Sequence, residues 1–300
     1  MNELKLIRHI TPLLKQNADT VVGPGDDCAV VRVGGELLLL AVDQVVSGVH
    51  YLPSTPPEKV AEKLLKRNLS DIAAMGGTPF CALLTLAGNI VDENWYLRFF
   101  DRLAVAAEHY GVSVSGGDIA TLPPDSPAES LVATLTITGK VEGNKICCRS
   151  RAVPGQVVMA TGCFGNSFYS QHHLDFEPRL AEGLFLAGTY TNCMIDVSDG
   201  LLLDAGRIAE ASGVGMEFDC QSIPLRPGAT PEGALTDGED YELVFTVDQD
   251  KLPFLRSAWP FKTPLTVIGK TISAHPGLVF DEKGVNLSAA NKKGYEHSSE

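Results

Sequence analysis

The stretch Gly23-Pro24-Gly25-Asp26-Asp27 sets two adjacent carboxylates on a turn directly before the apolar run Cys28-Ala29-Val30-Val31. Like charges so placed repel unless a cation, an arginine or solvent separates them. A solvated turn accounts for one such pair but not for its recurrence. Acid beside Gly or Ser at the end of an apolar segment returns at Asp43, Asp118, Asp196, Asp199 and Glu239. Carboxylates delivered from separate strand ends can assemble a site for several hard cations, a strong demand on the fold.

At 300 residues the chain is long for a single core, so two domains are expected. With 24 Lys and Arg against 37 Asp and Glu, its net charge is -13, and no basic run offsets it locally. Nucleic acid and anionic membranes are therefore disfavoured partners. A phosphorylated small molecule is compatible with this charge if a divalent metal bridges carboxylate and phosphate. The seven cysteines show no CxxC or Cys/His metal spacing and read as small buried hydrophobes in a reducing compartment. No signal-peptide pattern and no apolar run near the ~20 residues of a membrane span is present, so a soluble cytoplasmic protein is expected.

Periodicity predicts an amphipathic helix over 3–16, then strands 29–33 and 37–42 joined as a hairpin at Gly34-Gly35. A helix opens at Pro57-Glu58 and runs to about Met75, where Gly76-Gly77 stops it. With Val60 at zero, Leu64 falls at about 40°, Met75 at about 60° and Ile72 at about 120°, which defines an apolar stripe. Asp71 at about 20° and Asn68 at about 80° fall inside that stripe. An unpaired buried carboxylate is costly, so Asp71 should face a cation, a metal or a cleft, or else form a structural salt bridge or cap. Further on, strands are expected at 80–87, 112–115, 131–139, 156–161, 193–197 and 241–247, and helices at 93–110, 178–187 and 201–212, the last ended by Gly213. Ser198 or Asp199, read alone, is an N-cap for that last helix. Residues 222–233 read as a Pro/Gly-rich loop, and the polar segment 140–155 as the domain boundary, giving domains 1–140 and 141–300.

Neither a G-x-x-x-x-G-K-[ST] loop nor a G-x-G-x-x-G turn is present, so bound phosphates would be held by metals and isolated donors such as Arg149. The ordered series Gly25-Asp26-Asp27, Asp43 with Ser47-Gly48-Val49-His50, Asn68-Leu69-Ser70-Asp71 with Ala73-Ala74-Met75-Gly76, Gly116-Gly117-Asp118, Arg149-Ser150, Ile195-Asp196-Val197-Ser198-Asp199-Gly200 and Gly238-Glu239-Asp240-Tyr241-Glu242-Leu243 resembles the thiamine-monophosphate kinases. These belong to the aminoimidazole ribonucleotide synthetase superfamily, and the resemblance covers nearly the whole chain.

The resemblance implies an α+β chain of two α/β domains. The N-terminal sheet (1–140) would bind ATP and Mg²⁺ and form a β-barrel shared across a homodimer, and 141–300 would be a mixed α/β domain. It implies transfer of the ATP γ-phosphoryl group to thiamine monophosphate, directly and in line, assisted by several Mg²⁺ ions. Carried over by motif, Asp27, Asp43, Asp71, Asp118, Asp196 and Asp199 are metal ligands, with Asp196 and Asp199 catalytic. Gly117, Asp118, Arg149 and Ser198 correspond to ATP contacts, and His50 and Glu239 to substrate contacts. A sibling ATP-using enzyme with another acceptor, or a catalytically weak nucleotide-binding homologue, is the alternative.

The chain also departs from the family pattern. Ala41-Val42 stand where a Ser/Thr pair usually precedes the second acid, and Ile119-Ala120 replace a hydroxyl and a basic residue. The segment between Ser167 and His173 is short, and Lys292 occupies the place of a substrate-stacking aromatic. Tyr295 is the candidate substitute, or a surface residue. Asp26 is either a partner of the metal ligands or a solvated turn residue.

Overall fold

The computed structural model describes residues 3–89, 92–123, 125–127, 130–289 and 294. In chain order the strands are β1 (Thr20–Val22), β2 (Ala29–Val33), β3 (Glu36–Val46), β4 (Thr78–Gly88), β5 (Ser113–Thr121), β6 (Leu131–Lys140), β7 (Val157–Thr161), β8 (Met194–Asp196), β9 (Gly215–Phe218), β10 (Leu243–Val247), β11 (Leu265–Ile272) and β12 (Val279–Asp281). The helices are α1 (Glu3–Ile10), α2 (Pro57–Ala74), α3 (Glu93–His109), α4 (His172–Asp175), α5 (Leu180–Leu186), α6 (Leu201–Ser212), α7 (Pro231–Thr236) and α8 (Leu252–Ala258). The strands form two six-stranded sheets, ordered β1-β2-β3-β6-β4-β5 and β12-β9-β11-β7-β10-β8, in a mixed α/β arrangement. Neither sheet closes on itself among the described residues. No described helix is long and apolar enough to cross a membrane, and all seven cysteines are free thiols.

The first sheet follows from alternation and turn chemistry. Gly34 and Gly35 have φ of +58° and +90°, which lets a two-residue turn join β2 to β3 in register. Along β3, Leu39, Ala41 and Val45 point into the core while Val42 points out, as the period of two requires. Val42, Thr136 and Leu83 form one row across β3, β6 and β4 on the outer face, where Val42 and Leu83 are exposed. The sequence expectation ends a strand before Gly116-Gly117, but β5 runs through both glycines, parallel to β4. At Gly117 a Cβ would lie 1.8 Å from the Leu84 carbonyl oxygen, so only glycine permits that approach.

Helix α2 is the centre of the molecule. Its buried residues include Val60, Leu64, Asn68 and Ile72 of the anticipated stripe, and also Leu65, Leu69, Glu62, Lys63, Lys66 and Ser70 on other faces. The stripe is too narrow because α2 packs on β3, β6 and α3 of one half and on α4, α5 and β8 of the other. Strand β10 departs from alternation for the same reason: all five residues are buried because both of its faces are covered.

Smaller differences have local causes. The N-terminal helix ends at Ile10 and gives way to a 3₁₀ turn over Thr11–Leu13, which contains Pro12. Within the expected loop 222–233, α7 begins at Pro231, with Thr230 accepting a side-chain cap bond from the Gly233 amide. Helix α6 is not capped by Ser198 or Asp199. Its first residue follows Gly200 (φ +124°), and Asp204 reaches back to the three amides ahead of it.

Candidate active site

Three of the acids meet. Asp27 lies on the turn before β2, Asp71 near the end of α2 and Asp196 at the end of β8; each offers a carboxylate oxygen within 4.8 Å of the others. Asp196 is buried and accepts a 2.6 Å bond from Ser70 Oγ, the residue preceding Asp71. Burial, then the neighbouring carboxylates Asp43, Asp196 and Asp27, hold the Asp71 carboxyl well above its ordinary range. Burial and Asp27 push Asp196 up in the same way. Concentrated carboxylate oxygens are the donor set a hard divalent cation takes, and such a cation reverses this local pKa logic.

Arg149 closes one side of the trio. Its Nη2 donates to Asp27 Oδ1 at 2.6 Å, while its backbone amide donates to Asp26 Oδ2 at 3.1 Å. The two adjacent acids of the turn thus have separate tasks. Asp27 faces the cluster, and Asp26 ties the turn to the segment that presents Arg149. Burial, then Asp27, raises the Asp26 carboxyl to about 7.

Asp43 is held differently. Arg67 grips its carboxylate with Nε at 3.0 Å and Nη2 at 3.1 Å, and Asn68 Oδ1 accepts from its amide. It is close enough to raise the Asp71 pKa, yet it is not among the three that converge. Ala41 shares the inward face of β3 with Asp43, whereas Val42 is turned away from it.

A narrow cleft of about 80 Å³ opens beside Arg67, lined also by Val49, His50, Ser198, Asp199, Asp237, Glu239 and Tyr241. The Glu239 carboxylate pairs with Lys63 Nζ at 2.6 Å, and Lys63 also donates to the His50 carbonyl at 2.5 Å. Burial lowers the Lys63 ammonium to about 8 against the pull of Glu239. His50 Nδ1 accepts from the Val46 amide at 3.0 Å, which fixes the neutral ring's proton on Nε2. Glu239 and Tyr241 have φ of +53° and +50°, backbone that costs non-glycine residues about 1–2 kcal/mol each. It is held by the Glu239 and Tyr241 amides, which donate to Ser198 O and Val197 O at 2.8 Å. That pairing sets Glu239 beside Ser198 and Asp199. The Ser198, Asp199 and Gly200 amides converge on Asp204 Oδ2, and Arg207 donates to Asp199 at 2.6 Å.

Gly117 and Asp118 lie apart from the trio. Asp43, Leu135, Leu84 and Gly117 share one row across the sheet, so β5 stands three strand spacings, about 14 Å, from β3. Asp118 is paired with exposed Thr85 on the opposite face to α2. Tyr295 and Lys292 lie outside the described residues. A larger hollow of about 700 Å³ adjoins the trio through Gly25 and Arg149, with Leu202, Leu203, Gly206 and Arg207 of α6 along it and Ile7 and Arg8 of α1 at its rim.

Lys63 and Arg67 are the residues that sequence reasoning passes over. Their signal is the i, i+4, i+8 line Lys63, Arg67, Asp71 on α2, which puts two cations and the key acid on one helical face.

The raised acids make a pH prediction. Burial with nearby charge raises Asp26 and Asp204 from 3.8 to about 7, so the folded protein binds protons there that the unfolded chain has released. Their contribution to stability is present at low pH and lost as pH rises through about 7. His172, lowered by burial to about 4, acts oppositely but only below its ordinary 6.5. Metal-free protein should therefore lose about 1 kcal/mol per raised acid between pH 6 and 8, measured by urea denaturation in chelator. Stability that rises over this interval would contradict the assignment.

Comparison with known proteins agrees with this architecture. Residues 25–141 match the family model described as AIR synthase related protein, N-terminal domain. The thiamine-monophosphate kinase of Salmonella typhimurium is 33% identical, with 98% of each chain covered, and that of Bacillus subtilis is 31% identical, with 99% of each covered. A solved structure described as AaThiL complexed with AMPPCP and TMP superposes with a TM-score of 0.84, at 28% identity, covering 99% of this chain and 97% of that one.

Proposed function

The chain belongs to the thiamine-monophosphate kinase family, and from that premise we propose that it transfers the γ-phosphoryl group of ATP to thiamine monophosphate, forming thiamine diphosphate. The observation that carries this reading is the convergence of Asp27, Asp71 and Asp196, with Arg149 against them, between two clefts of unequal size. Phosphoryl transfer requires in-line placement and neutralised charge more than covalent chemistry from the protein. The named relatives and the complex with AMPPCP, an ATP analogue, support the same reading.

In this proposal Asp27, Asp71 and Asp196 hold Mg²⁺, and Asp43 and Asp199 complete the set once Arg67 and Arg207 yield their carboxylates. Bound Mg²⁺ would neutralise phosphate charge and orient the transferring group. ATP enters the larger hollow, where Leu202 and Leu203 offer an apolar wall and Arg149 a fixed cationic fork. Ser198, in the lining of the smaller cleft beside Asp199, serves the phosphates. Asp196 and Asp199 flank the transfer point. Thiamine monophosphate takes the smaller cleft, with Glu239 held by Lys63 to meet its cationic ring system and His50 Nε2 donating to an acceptor on the substrate.

The outer face of the first sheet, with Val42 and Leu83 exposed, supports a homodimer in which two such faces close a shared barrel. Gly117 and Asp118 then serve the nucleotide through that assembly. We also read the chain as two domains, 1–140 and 141–300. Separate apolar clusters in the two halves support this, with a third cluster joining Ala73 and Ala74 of α2 to Met159, Met194 and Phe245.

Purified protein with ATP, Mg²⁺ and thiamine monophosphate should produce thiamine diphosphate. No turnover across a range of Mg²⁺ and K⁺, with calorimetric binding of ATP retained, would overturn the activity and leave the nucleotide-binding homologue that Ala41-Val42 suggests.

A further inference from the structure

Helix α6 starts without the cap its sequence offers. Ser198 or Asp199 would ordinarily supply it, but the N-cap position falls on Gly200, which has no side chain to give. The cap comes from inside the helix instead. Asp204, one turn into α6 and fully buried, turns back so that its Oδ2 accepts from the amides of Ser198, Asp199 and Gly200 at 3.1, 3.0 and 3.2 Å. Its Oδ1 accepts from Arg207 Nη1, and Nη2 of the same guanidinium donates to Asp199 Oδ2 at 2.6 Å. A carboxylate this deep is tolerated because the three amides and the guanidinium all meet it.

The loop ahead of α6 is held from its other side by the segment that carries Glu239. The Glu239 and Tyr241 amides donate to the Ser198 and Val197 carbonyls, and the Val197 amide donates to the Glu242 carbonyl, each at 2.8 Å. At Gly238 a Cβ would lie 2.9 Å from the Ser198 carbonyl oxygen, so no side chain fits between the two loops. With its amides tied to Asp204 and its carbonyls to 239–241, the loop keeps its shape without using the Ser198 hydroxyl or the Asp199 carboxylate. Both side chains are left to line the smaller cleft. Without the Asp204 carboxylate, the three amides would draw on the nearest acceptors, which are those same two side chains in the ordinary N-cap arrangement.

The geometry points to Asp204 as a positioning residue for phosphoryl transfer. By taking over the capping of α6 it keeps Ser198 and Asp199 turned toward Mg²⁺ and the phosphates, and by holding Arg207 it keeps a cation beside Asp199. The inference rests on the kinase reading for what Ser198 and Asp199 meet, and adds a residue too buried to touch either substrate.

The test introduces Asp204→Asn into the full chain with its native loop and into a Ser198→Ala/Asp199→Asn background. Asn keeps the size of the buried side chain and removes a buried charge, so folding is retained, but it cannot accept from the three amides and from Arg207 at once. In the native loop Asp204→Asn should lower kcat about 10–100-fold, the scale of a displaced group at the reacting centre. In the background that lacks both loop side chains it should lower kcat by less than about twofold further, because the groups it positions are gone. A cap that only holds the helix together costs the same factor in both backgrounds; that result, or full activity of Asp204→Asn, would overturn the proposal. Calorimetric titration with Mg²⁺ and AMPPCP separates it from the kinase reading. Asp204→Asn should weaken this binding by about tenfold or more, whichever acceptor the enzyme uses. A wild type that binds the analogue yet forms no thiamine diphosphate fails the acceptor reading alone, whereas equal binding by wild type and Asp204→Asn fails the role given to Asp204.

Discussion

Asp71→Asn is expected to reduce phosphoryl transfer by about 10²–10³-fold or more while leaving the protein folded. Asp71 feels three other acids: Asp43, Asp196 and Asp27 all raise its pKa, on top of burial. An amide of the same shape removes one cation ligand and one source of repulsion together. Metal-free Asp71→Asn should thus melt at or above the wild-type temperature, and Mg²⁺ should stabilise it less than it stabilises wild type. Thermal scans with and without Mg²⁺, beside the kinase assay, check both halves. A fully active variant, or one that melts far below wild type without metal, would remove Asp71 from the role proposed for it.

Arg149→Leu should have the largest effect on stability. The Asp27 side chain is fully buried and that of Asp26 nearly so, and the guanidinium is the cation that Asp27 contacts directly. Breaking a buried pair by removing one partner costs about 3–5 kcal/mol, because the remaining charge is left uncompensated. Denaturation in chelator should show a loss of that size. Adding Asp27→Asn should recover a large part of it, as it removes the stranded charge. Mg²⁺ should also restore stability to Arg149→Leu, since a divalent cation can stand in for the lost positive charge. A loss that neither Mg²⁺ nor the second substitution reduces would mean that Arg149 acts by packing instead of charge.

Both experiments rest on residues whose importance was visible before the fold was. Asp27 stood out because two carboxylates shared a Gly/Pro turn, and Asp71 because a charge fell on the apolar stripe of a helix. Arg67 and Lys63 did not stand out. An amphipathic reading assigns cations to the wet face, and α2 has almost no wet face once both halves pack against it. Asp43 and Asp118 share the sequence signature of Asp27 and Asp196 yet lie elsewhere, one gripped by Arg67 and the other on the opposite face of the edge strand. The signature records that an acid follows an apolar run, not which way it faces in the assembled molecule: β3 runs on past Asp43 and β5 past Asp118.

The sequence by itself determined the periodic elements and their local faces: the hairpin at Gly34-Gly35, the span of α2, the alternation of β6, and the ordered motifs of the family. These depend on interactions within a few residues, where periods of 3.6 and 2 and the φ freedom of glycine decide the outcome. Tertiary structure alone decided which acids meet. Ser70 and Asp196 are 126 residues apart in the chain and 2.6 Å apart in space because α2 is clamped between two sheets. Contacts at that separation arise from packing a helix on all sides at once, and no local period encodes them.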